Sequence, residues 1–165
     1  MPRPSKAWWL QAPPIEPTFR PAGRSTRRHC AMLRERAAGG ISVIGYVTVG
    51  TNDFERAQGF YDALLGELGG TRLMDIEGFT VWAVDGKATG ALAITKPFDG
   101  SAATVGNGVM LALAAESKAQ VDSLHAKALS LGAADEGAPG SRGDGFYAAY
   151  FRDLDGNKLN AYYLG

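Results

Sequence analysis

The chain has 165 residues, 45 % of them apolar and 21 % charged, and its formal charges cancel at pH 7. That is the size and balance of one ordinary globular domain. It excludes a strongly basic nucleic-acid binder, and no apolar run approaches the roughly 18–20 residues that a membrane span needs.

The cancelled charge hides an asymmetry. Residues 1–40 carry eight Lys/Arg against two acids, and the rest of the chain carries nine against fifteen. A mildly acidic body does not favour nucleic acid as a partner. Cys30 is the single cysteine. It allows no intrachain disulfide and no cysteine metal knuckle, and it points to a reducing, cytoplasmic setting.

Six of the eight prolines fall within residues 1–40, where neither a helical nor a strand period survives. This reads as a disordered basic leader, or as an artefact upstream of a true start at Met32. Its acid-poor composition resembles a transit peptide, and it lacks the apolar core of a secretory signal. Deleting residues 1–40 is expected to leave the melting temperature nearly unchanged by calorimetry. A large drop would show that the leader packs on the domain.

From Ile41 the pattern is regular. A strand is predicted over residues 42–49, followed by a Gly50-Thr51-Asn52 turn with Asn52 and Glu55 as a capping box. A helix over 53–68 follows, with Phe54, Ala57, Phe60, Tyr61, Leu64, Leu65 and Leu68 as one apolar stripe, ended by Gly69-Gly70. Strands are predicted near 71–76, 79–84 and 90–95, with Glu77-Gly78 and Asp85-Gly86 as hairpin turns.

The order then recurs. A strand over 109–114 leads to a helix begun by Ser117 and Gln120, with Val121, Leu124, Ala128 and Leu131 as its stripe. A short strand near 133–136, a Gly/Asp-rich loop over about 134–145, and strands over 146–152 and 158–164 complete the set. Each half is βαβββ, with modules at about 42–96 and 107–165. The predicted fold is α+β: two βαβββ modules forming a curled mixed sheet around a central cavity, with the helices outside.

Three stretches in this order, "GYVTVGTNDFERAQGFYDALLGELG", "GNGVMLALAAESKAQVDSLHAKALSLGA" and "YAAYFRDLDGNKLNAYYLG", resemble the vicinal oxygen chelate superfamily. That family comprises glyoxalase I, bleomycin and fosfomycin resistance proteins and extradiol dioxygenases. In the last stretch Leu154 stands where the family often has Pro. The resemblance covers residues 42–165 and implies a homodimer. It also implies a divalent metal held by His and Glu from the module strands, polarising vicinal substrate oxygens.

The residues depart from that pattern. Tyr46 stands at the expected first-strand His, Met110 at the second module's His, and Asn160 at the last-strand Glu. The "GALAITK" strand offers neither carboxylate nor imidazole. Met is a poor ligand for such metals, so no metal cofactor is expected except at an atypical site. His29 lies in the leader, and His125 reads as a boundary residue on the surface of the second helix. Asp75 and Glu77, two apart, read as a solvated hairpin end rather than an acid–base pair.

Period-two alternation assigns the cavity lining to Tyr46, Thr48, Trp82, Met110, Ala112, Tyr147, Asn160 and Tyr162. Val47, Val49, Leu111, Leu113, Leu159 and Ala161 are expected to face the helices. An apolar, aromatic pocket with polar tips suits a small organic ligand. The reading is therefore a cytoplasmic small-molecule-binding protein lacking the usual metal ligands. One alternative is a glyoxalase-like lyase or dioxygenase with an atypical metal site. The other is a non-catalytic structural or regulatory domain whose lining residues fill a small core.

Overall fold

The computed structural model describes residues 44–165 apart from 85, 87, 88 and 144. The leader and the first residues of the first predicted strand lie outside the described residues. The first module runs β1 (Tyr46–Gly50), α1 (Phe54–Gly66), β2 (Gly70–Ile76), β3 (Phe79–Val84) and β4 (Ala91–Thr95). The second runs β5 (Leu111–Ala114), α2 (Lys118–Ser130), β6 (Ala134–Ser141), β7 (Phe146–Arg152) and β8 (Lys158–Leu164).

Each module owns a four-stranded sheet, ordered β1-β4-β3-β2 and β5-β8-β7-β6. In each, the first strand lies parallel to the last, and the remaining pairs are antiparallel. The helix carries the chain over the sheet and the three-strand meander brings it back beside its start. β1 and β5 are edge strands and are not paired with each other.

The helices form where their caps and stripes agree. Asp53, not Asn52, caps α1, accepting a hydrogen bond from the Arg56 N–H at 3.1 Å. Asn52 is drawn off to the linker, where its amide brackets the Ala103 backbone at 2.8 and 3.1 Å. Ser117 caps α2, and the Gln120 side chain accepts from the Glu116 N–H at 2.7 Å. α1 buries Ala57, Phe60, Tyr61, Leu64 and Leu65, and α2 buries Val121, Leu124, His125 and Ala128. All of these but His125 join Trp82, Ile94, Phe151 and Leu159 in one hydrophobic core that spans both modules. Each fully buried large side chain contributes about 1.5–3 kcal/mol.

Two expectations need correction here. β6 runs through Gly137, Pro139 and Gly140, which had read as loop. Two register shifts against β7 accommodate them, and an edge strand tolerates a proline that a central one would reject. His125 is not a surface residue. It is buried beside the Phe151 ring, with Nε2 3.1 Å from the Asp135 carboxylate.

The β7–β8 turn joins the modules. Asp153, 7 % exposed, accepts from the Tyr61 hydroxyl on α1 at 2.7 Å. It also accepts from the N–H groups of Asp155 and Asn157 and from the Asn157 amide. Asp155 accepts from the Thr51 hydroxyl and the Asn52 N–H, and Asn157 donates to the Gly50 carbonyl. The turn thus seats the Asp155 carboxylate at the N-terminus of α1, where the helix dipole favours it.

Candidate binding site

Between β1 and β5 lies a cavity of about 1100 Å³. Val47 and Thr48 border it on one side and Met110 to Ala114 on the other. Leu65 and Leu68 enter from the end of α1, and Glu116 and Gln120 from the start of α2. Because β1 and β5 lack a partner on this side, residues from both strand faces reach the gap. This is why Val47, expected to face the helices alone, also borders it.

Of the eight predicted lining residues, Thr48, Trp82, Met110, Ala112 and Tyr162 border this cavity; Tyr46, Tyr147 and Asn160 do not. Tyr46 is 55 % exposed and meets the Phe79 ring edge-on at 6.1 Å. Its strand partner is Ala91, and Thr48 pairs with Ala93. With Val81 and Ala83 these alanines form a separate buried cluster.

Tyr147 was assigned to the wrong strand face, whereas Trp82 borders the cavity as expected but from the helix-facing side of β3. Trp82 is 2 % exposed and turned to α1, its ring 5.7 Å from Tyr61 and its N–H donating to Asp62 at 2.8 Å. Its contact with the cavity is a contact of the core wall. Tyr147 donates to Asp122 of α2 at 2.8 Å, and that bond pushes its phenol pKa up. Along β7, Ala148 and Tyr150 take the Asn160 face, paired with Tyr162 and Asn160. In β3 and β7 both faces are apolar, so alternation gives the parity of the side chains but not which parity faces the helix.

Asn160 is 1 % exposed, between the helix-facing Leu159 and Ala161. Its Oδ1 has no hydrogen-bond partner among the described residues. Buried acceptors are seldom left unpaired. The phenol, thioether and amide of Tyr46, Met110 and Asn160 do not make a set that fits a borderline divalent metal. No group of three or more His, Cys, Asp or Glu that could hold a metal ion occurs among the described residues. Asp75 is committed elsewhere, accepting from Arg72, Thr80 and Gln58.

Sequence reasoning missed Leu65, Leu68, Glu116 and Gln120. The two leucines lay in the α1 stripe and carried no signal for a cavity beyond the sheet edge.

Residues 43–161 match the model of the Glyoxalase/Bleomycin resistance protein/Dioxygenase superfamily. A glyoxalase/bleomycin resistance protein from Albidiferax ferrireducens is 41 % identical, with a TM-score of 0.68 over 74 % of this chain and 98 % of that one. An antibiotic binding protein from a Streptomyces species is 25 % identical, with a TM-score of 0.55 over 76 % and 98 %. A lactoylglutathione lyase from Agrobacterium tumefaciens, 18 % identical with a TM-score of 0.55 over 74 % and 93 %, shares the fold. No curated protein matches the chain.

Proposed function

The chain belongs to the glyoxalase/bleomycin resistance protein/dioxygenase superfamily, and from that premise we propose that it binds a small organic molecule without the family's divalent metal. The observation that carries this reading is the donor set: Tyr46, Met110 and Asn160 stand at the positions where the resemblance puts metal ligands, and of the three Met110 borders the cavity of about 1100 Å³. That volume is at the upper end of small-molecule sites. The likeness to a protein described as antibiotic binding supports it. A homodimer belongs to the same proposal. Met74 and Ile76 on β2 are exposed, as is Tyr46, and apolar side chains grouped in this way favour a partner surface. A cytoplasmic location is proposed from the cysteine usage; no described helix is long and apolar enough to cross a membrane.

A thermal-shift screen of planar aromatic and thiol-conjugated compounds tests the reading. A ligand at 100 times its Kd adds about 2.7 kcal/mol, several degrees of melting temperature. Asn160→Leu is the paired variant. Removing an unpaired buried acceptor relieves about 1–3 kcal/mol of desolvation. The variant is expected to melt slightly higher than the parent and, because Asn160 does not border the cavity, to keep the ligand shift. Stoichiometric Ni, Zn, Fe or Mn in the purified protein, lost in Tyr46→Phe together with an activity, would overturn the proposal.

A further inference from the structure

The face of β8 that carries Asn160 runs from charged to apolar. Lys158, Asn160 and Tyr162 lie on it, alternating with the helix-facing Leu159 and Ala161. Tyr162 borders the large cavity. Lys158 borders a second one, of about 460 Å³, with Arg152 and the linker backbone from Gly106 to Met110. Val109 and Met110 border both cavities, which are therefore adjacent along this segment. Methionine is the side chain best able to reshape between two occupants.

The charge around the second cavity is unbalanced. Arg152 and Lys158 share one carboxylate, Glu136, at 2.5 and 2.9 Å. Arg142 stands 5.6 Å from the Tyr150 ring and Lys158 stands 5.7 Å from the same ring. The Arg142 guanidinium donates to the Ala138 carbonyl and forms no ion pair among the described residues. Among the described residues, Arg152 and Lys158, two of the nine cations that follow Gly40, thus share one acid at this cavity, on a body whose charged residues are mainly acidic. Holding cations together without matching carboxylates is unfavourable unless an anion completes the set.

Resting on the binding proposed above, we infer that the ligand is an amphipathic organic anion. Its apolar body occupies the large cavity, and its carboxylate, sulfonate or phosphate group reaches Lys158 and Arg152 in the smaller one. Glu136 is the one carboxylate now paired with Arg152 and Lys158, while Arg152 also donates to the Gly156 carbonyl at 2.8 Å; an anion adds charge-assisted hydrogen bonds, the stronger class. A neutral ligand leaves the two cations with the single charge of Glu136, so anions are preferred by roughly 10- to 100-fold.

Fluorescence titration of the full chain with two dyes tests this: anilinonaphthalene sulfonate and its uncharged counterpart, phenylnaphthylamine, which differ by the sulfonate. The sulfonate is expected to bind at least tenfold tighter, and this margin is expected to shrink as salt is raised. Lys158→Met is expected to erase the margin and Lys158→Arg to keep it, with the neutral dye unchanged in both. Glu136→Gln removes the competing carboxylate and is expected to tighten the sulfonate severalfold, a gain that misfolding does not produce. Equal affinity for the two dyes, a margin that survives Lys158→Met, or no gain in Glu136→Gln would overturn the anion site while leaving small-molecule binding standing. Binding of neither dye would overturn both.

Discussion

Asp153→Ala is expected to lower the melting temperature by about 10–20 °C, the largest loss of any single polar change in the domain. The carboxylate accepts four hydrogen bonds, from Tyr61, the backbone of Asp155 and Asn157, and the Asn157 amide. Alanine leaves those donors buried or half-buried with nothing to receive them. A hydrogen bond to a charged group contributes about 1.5–3 kcal/mol, and each buried donor left unmatched adds to that loss. The damage is also topological, because Asp153 belongs to the second module and Tyr61 to the first. Asp153→Asn keeps one acceptor oxygen and is expected to lose roughly half as much. Tyr61→Phe removes one donor and leaves the other three satisfied, so it is milder still.

The same pair gives a pH signature. Burial first, and then the Asp153 charge, push the Tyr61 phenol well above its ordinary value of 10.0. Folding raises this pKa, so its contribution to stability is complete below the unfolded value and is lost as pH rises towards the folded one. Stability of the parent is expected to fall above about pH 10, and Tyr61→Phe is expected to show a shallower alkaline limb in pH-resolved denaturation. Equal limbs, or a melting temperature for Asp153→Ala within a few degrees of the parent, would show that the turn does not hold the modules together.

What the sequence made legible followed from how one-sided each signal was. The α1 stripe from Ala57 to Leu65 has polar neighbours, so its buried face was readable from period alone. The cap was misread by one position because Asn52 and Asp53 are both good caps, and only a long-range contact with Ala103 decides between them. The β6 strand was hidden by Gly137, Pro139 and Gly140, whose local preference for turns is outweighed by pairing with β7. At the candidate site, the tyrosine, methionine and asparagine where the resemblance puts metal ligands were visible as chemistry. The burial of Asn160 was not, because it arises from strands and loops distant in sequence. Nor was the cavity seam, since two unpaired edges facing each other leave no local periodicity. Trp82 shows the limit most sharply: "FTVWAV" is apolar on both faces, and only the pairing of Trp82 with Leu92, itself in the core, turns the indole inward.

Trp82→Ala is therefore expected to act as a core deletion, not as the loss of a ligand contact. Removing a buried indole costs about 3–5 kcal/mol, through lost burial and the cavity left behind. For a domain of this size that is a fall of about 10–20 °C. The indole also organises its surroundings. Its N–H donates to Asp62, which receives Arg72 as well, and Arg72 lies 6.0 Å above the ring. Arg72, more than Trp82, holds the Asp62 carboxyl below its usual range, so the ion pair is expected to survive the truncation. Trp82→Phe keeps most of the packing and loses one hydrogen bond, a loss of about 1 kcal/mol beyond any void. Because Trp82 also borders the large cavity, the alanine variant opens a space shaped for the missing ring. Free indole at millimolar concentration is expected to raise the melting temperature of Trp82→Ala by more than that of the parent. A residue that only touched a ligand would behave in the opposite way. Its alanine variant would melt with the parent, gain nothing from indole and lose ligand affinity, and that outcome would return Trp82 to the binding face on which the sequence had placed it.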